Sequence, residues 1–139
     1  MYTDPSTTQD WQDVAHERRA DALAMRQLAR QVSCVYHLGF TAECYAKALC
    51  VARGRTVPRS HNVLDILEHA GFSSTVLPSE IRVFLADRDV GLRYQVALPD
   101  DVRIEDQVEA ATRFVKWCAT QLRRRAGRPG ARVKGKERA

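Results

Sequence analysis

Apolar residues recur along this chain at helical rather than strand spacing. After Ser6-Thr7-Thr8, whose hydroxyls can cap a helix, Trp11, Val14, Ala15, Ala22, Met25, Ala29 and Val32 mark one face. Arg18 and Arg19 interrupt it, and Asp10 and Asp13 sit in the early turns, where the helix dipole favours carboxylates. A second helix is predicted from about Val32 to Arg53, with Gly54 as its left-handed end residue and the junction near Arg30 open to a break. Val35, Tyr36, Gly39, Phe40, Ala42, Ala46, Leu49 and Cys50 leave this helix only a narrow polar strip, which places it in the middle of a bundle. Ser60 is the expected N-cap of a third helix from His61 to Ala70, stopped by Gly71, with Leu64, Leu67, Val63 and Ala70 inward. Pro78 and Ser79 open a short fourth helix that turns Ile81, Phe84 and Leu85 inward.

The stretch from Asp87 to Asp101 breaks the pattern. Gly91, Pro99 and Asp100-Asp101 argue for a loop, whereas Leu92, Tyr94, Val96 and Leu98 alternate like a strand. A lone strand has no partner here, so the expectation is an irregular, partly buried connection. The last helix, about Ile104 to Arg125, has Ile104, Val108, Ala111, Val115, Cys118, Ala119 and Leu122 in one stripe. Glu105, Asp106 and Glu109 lie at its start and Arg123, Arg124 and Arg125 at its end, as the dipole prefers.

Three long and two short helices with short connections predict an all-α, antiparallel up-and-down bundle of four to five helices over residues 1–125. Residues 126–139, rich in Gly, Arg and Lys, cannot bury enough apolar surface to order and form a basic tail. No Gly-rich loop follows a strand, which argues against an α/β nucleotide-binding fold.

Charge sharpens this division. The chain carries a net +5. Residues 123–139 hold eight Lys/Arg and one Glu, hence +7, so the rest of the chain is at −2. The basic pI therefore belongs to the tail. Arg123, Arg124, Arg125, Arg128, Arg132, Lys134 and Lys136 are candidate nucleic-acid contacts of the salt-dependent, sequence-independent kind. The tail has no aromatic residue for base stacking, and its bland reading is a solvated end. Cys34, Cys44, Cys50 and Cys118 form no Cys-x-x-Cys pair and read as buried reduced thiols. No run of apolar residues is long enough to span a membrane and the N-terminus has no signal-like core, which points to the cytoplasm.

Candidate chemistry is sparse. Glu43 and Lys47 lie four apart on the most apolar helix and so face the same way. Spacing alone reads them as an ion pair on the solvent strip, worth about 0.3–0.5 kcal/mol. His61 follows Ser60 in the predicted first turn of the third helix, where the dipole disfavours its protonated form. His16, His37 and His69 read as lone exposed or packed histidines, and no metal or cofactor site is expected.

The run from Tyr36 to Leu49 (YHLGFTAECYAKAL), then Gly54 and Pro58, then Ser60 to Leu67 (SHNVLDIL), and later Arg93-Tyr94 resemble a HEPN domain, the higher eukaryotes and prokaryotes nucleotide-binding family. The similarity runs from about Trp11 to Arg125. It rests on a Glu within an apolar helix, a Lys one turn on, and a Gly-Pro-Ser-His linker occurring together. It implies a helical bundle, commonly a homodimer, that works around RNA or nucleotides. Many members are metal-independent ribonucleases of defence or toxin–antitoxin systems; others are inactive partners within them.

Active members carry an Arg, four to six residues, then a His in a late helix. Here no His occurs after His69, so Arg93 has none behind it. Arg55 and His61 have five residues between them, and Arg30 and His37 have six, spacings expected by chance in an arginine-rich chain. Metal-free RNA cleavage needs a base, an acid and a cation for the phosphorane charge. His61 with Arg55 or Arg93 would supply them only if the bundle brought them together. The preferred use is structural: Glu43, Lys47, His61, Arg93 and Tyr94 as one polar cluster holding loops against the second helix. The leading expectation is a non-catalytic accessory protein that binds RNA or another nucleic acid or nucleotide. A HEPN ribonuclease and a protein-interaction scaffold are the alternatives.

Overall fold

The structure is a computed structural model that describes residues 2–86 and 90–127, of which 90, 93 and 125–127 are described by backbone only. Among the described residues there are five α-helices: α1 (Thr8–Gln27), α2 (Gln31–Ala52), α3 (Val63–His69), α4 (Ser79–Ala86) and α5 (Ile104–Gly127). Two short 3₁₀ turns, Ser74–Val76 and Val90–Tyr94, join them, and no strand occurs among the described residues. The fold is all-α, as the periodicity requires.

α1 begins at a full capping box. Thr7 accepts from the backbone of Asp10, and the Asp10 carboxylate accepts from the Ser6 and Thr7 backbone N–H groups at 3.0 and 3.1 Å. The helix ends earlier than its apolar face suggests. Ala29 adopts φ +59°, a left-handed conformation that costs a non-glycine residue about 1–2 kcal/mol, and the chain reverses there into α2.

α1 and α2 then run antiparallel, with Trp11 beside Lys47, His16 beside Tyr45 and Arg26 near Cys34. α2 is enclosed by α1, α3, α5 and the Val90–Tyr94 turn, and every residue from Thr41 to Cys50 is buried. The Cys50 thiol donates to the Ile66 carbonyl at 3.6 Å, which ties α3 to the C-terminal half of α2. α4 lies between α3 and the first half of α5, to which Glu80 is paired through Arg113 at 3.2 Å. Because that half of α5 sits toward the C-terminal end of α2, and Cys118 lies by Tyr45, α5 runs opposite to α2.

Several sequence expectations need correction. The N-cap of α3 is Asn62, whose side chain accepts from the Asp65 N–H at 3.2 Å. Ser60 accepts instead from the Asn62 N–H, so His61 precedes the helix rather than lying in its first turn. Ile66 and Phe114 are fully buried although neither belonged to the predicted core faces, and Leu64 is only partly buried. In the connection after α4, Tyr94 and Val96 are exposed, whereas Leu92 and Leu98 are partly buried. α5 continues past Arg125 to Gly127; the predicted tail residues Arg128, Arg132, Lys134 and Lys136 lie outside the described residues.

Candidate functional site

The burial of α2 decides the setting of Glu43 and Lys47. There is no solvent strip at this level of the helix, so the expected surface ion pair is wrong: the side chains are 4% and 10% exposed. Two charges there need more than each other, because desolvation offsets most of their attraction. Lys47 Nζ donates to Glu43 Oε2 at 2.8 Å and lies 5.2 Å from the centroid of the Trp11 ring, whose π face attracts the cation. Glu43 also accepts from His61 Nδ1, at 3.0 Å to Oε2 and 3.2 Å to Oε1. The linker before α3 is thereby held on the middle of α2. His61 itself remains 71% exposed. Sequence reasoning missed Trp11 as a member of this cluster; one apolar face on α1 gave no sign of which α2 residue it would cover.

A carboxylate in a helical core, a lysine one turn on and a histidine delivered by a loop are the three features the sequence resemblance had grouped. A family model of the HEPN domain matches residues 8–123. The chain belongs to the HEPN domain family. No curated protein and no solved structure matches it closely enough to add a named relative. HEPN domains are commonly associated with nucleotides or with RNase-like activity in defence and toxin systems.

The other expected site residues of this HEPN domain are placed as follows. Arg55 donates from Nη1 to the His69 carbonyl at 2.9 Å, capping the C-terminal end of α3, and Thr56 meets His69 Nε2 at 3.2 Å. His61 lies before the other end of this seven-residue helix, so about 10 Å of helix separates the two positions. Arg93 and Tyr94 belong to the 3₁₀ turn that packs on α2, and Tyr94 is exposed; the Arg93 side chain is outside the described residues. His37, of the other Arg-to-His spacing, bonds the Ser33 carbonyl through Nδ1 at 2.8 Å within α2.

His16 has a role that the sequence did not reveal. Its Nε2 meets the hydroxyl of buried Tyr45 at 2.9 Å, giving that phenol the partner a buried tyrosine needs. A second aromatic cluster sits below α3. Arg53 lies over Phe72 at 4.3 Å, Phe72 meets Trp117 edge-on, and Trp117 stacks near Phe114. Gly71, at φ +96°, lets Arg53 and Arg55 approach; a Cβ there would lie 3.2 Å from Arg55. The four cysteines are buried and form no disulfide, and burial raises the thiol pKa of Cys34, Cys50 and, most strongly, Cys118. Among the described residues no group of three His, Cys, Asp or Glu is arranged to hold a metal, and no helix is long and apolar enough to cross a membrane.

Proposed function

We propose that this HEPN domain is a non-catalytic, cytoplasmic accessory module that associates with RNA or nucleotides, as a homodimer, in a bacterial defence or toxin–antitoxin system. The observation that carries the reading is the use made of Glu43. Its buried carboxylate takes hydrogen bonds from Lys47 and His61 together, which fastens the α2–α3 linker to the core. The basic segment 126–139, with Arg123 and Arg124 on α5, supplies the electrostatic arm.

The test is a labelled single-stranded RNA titrated with purified protein. Binding that falls steeply with salt, weakens on removal of residues 128–139 and leaves the RNA intact is expected. RNA cleavage that disappears in His61→Ala would overturn the non-catalytic reading. Sedimentation velocity checks the dimer.

One observation favours the second reading, a metal-independent ribonuclease. His61 is held by a carboxylate at Nδ1 while its ring stays exposed, the arrangement of an oriented general base. The cation would then be Arg93, because Arg55 is engaged at the other end of α3. Should the protein bind no nucleic acid at all, a protein-interaction scaffold is the reading that survives.

A further inference from the structure

The folded bundle is electrically polar in a way that a net-charge count conceals. Residues 22–42 contain no Asp or Glu, and neither do residues 110–127; together they hold seven Lys/Arg. The remaining described residues hold fourteen Asp/Glu against nine Lys/Arg. These two carboxylate-free stretches are far apart in sequence. The antiparallel packing brings the larger part of both to one end: the last turns of α1, the first half of α2 and the last turns of α5. Arg26, Arg30, Arg123 and Arg124 are all exposed there. Arg113 is the exception, turned to Glu80 on α4.

The same end carries an open groove of about 590 Å³ between the α1–α2 turn and residues 95–97. Arg30, Gln31, Ser33, Tyr36 and Gln95 line it. An aromatic face, amides and a guanidinium beside clustered positive charge match the mixed chemistry of a nucleotide better than that of an acidic peptide.

We infer that this end of the bundle is a docking surface for single-stranded RNA, the phosphates on Arg26, Arg30, Arg123 and Arg124 and a base in the Tyr36 groove. Such a surface presupposes the RNA association proposed above and places it away from the Glu43–Lys47–His61 cluster. The acidic opposite end orients the molecule during approach.

The experiment is fluorescence anisotropy of a labelled oligouridine single strand with the full chain, across a salt series. Arg26→Glu with Arg30→Glu is expected to weaken binding about tenfold or more at low salt and to flatten the log–log salt slope by about 1.4, at roughly 0.7 per lost phosphate contact. Arg123→Glu with Arg124→Glu, on a separate helix, should do the same, so misfolding of one pair does not decide the matter; circular dichroism checks each. Arg59→Glu with Arg103→Glu, equal in charge change but outside this end, should cost less than about threefold. Equal losses from all three pairs, or none from the first two, would overturn the surface while leaving RNA association intact. No binding by the unaltered chain would overturn RNA association itself. Equal affinity for polyglutamate would assign the end to an acidic protein.

Discussion

Glu43 is the residue on which most else depends. Its replacement by alanine leaves Lys47 buried with the π face of Trp11 but without its carboxylate, and frees the His61 linker. Loss of one partner of a buried pair costs roughly 3–5 kcal/mol, so Glu43→Ala should lower the urea midpoint sharply. Glu43→Leu combined with Lys47→Met should recover most of that loss, because the pair's worth lies in not being broken. A double variant as unstable as the single one would contradict this account. The thiols give a second expectation. Cys34, Cys44, Cys50 and Cys118 are all fully buried, and burial disfavours the reactive thiolate. Native protein should therefore react with a thiol-specific chromogenic disulfide only at the rate of unfolding; fast labelling of even one thiol would argue against the packing of α2 or α5.

At the scale of elements, helix ends hold the testable detail. Asn62→Ala should cost about 1 kcal/mol, since it removes the α3 cap, whereas Ser60→Ala should cost clearly less. Matched denaturation curves for the two variants decide between these caps. α1 has a pH-dependent start. The Ser6 backbone N–H, followed by that of Thr7 and the Thr7 hydroxyl, holds the Asp10 carboxyl below its ordinary value of 3.8. A depressed folded pKa means that the stabilisation is present above the unfolded pKa and is lost as pH falls through the folded one. Amide exchange at the first turn of α1 should therefore accelerate on acidification below about pH 3.8, ahead of the bundle, and Asp10→Asn should remove that dependence. Exchange that is insensitive to pH in this range, after correction for its intrinsic rate, would refute it.

For the whole molecule, the core ends with Leu122 on α5 and the family match ends at residue 123. Removal of residues 128–139 should accordingly leave the urea midpoint within about 0.5 kcal/mol of the full chain at moderate salt. The same truncation takes away five Lys/Arg and one Glu, a net +4, so nucleic-acid binding should fall while stability does not. A coupled loss of both would mean that the segment packs on the bundle.

The fold class and the family were legible in the chain alone. Helical period, Gly54 and Gly71 as stops and charges matched to the α5 dipole are local properties of the chain, readable without knowing its neighbours. It also brought Glu43, Lys47 and His61 to notice, because a Glu and a Lys on so apolar a helix are out of place. What it could not show is which sides of α2 are covered. That depends on four elements packing around it, and it turned an apparent surface pair into a buried one. Nor could it show that Asn62 rather than Ser60 caps α3, or that Arg55 and His61, six positions apart, serve opposite ends of that helix. Tertiary packing alone gathered the last turns of α1, the first half of α2 and the last turns of α5 at one end. Charge adds up along a chain regardless of shape, but a field depends on where the fold puts each charge.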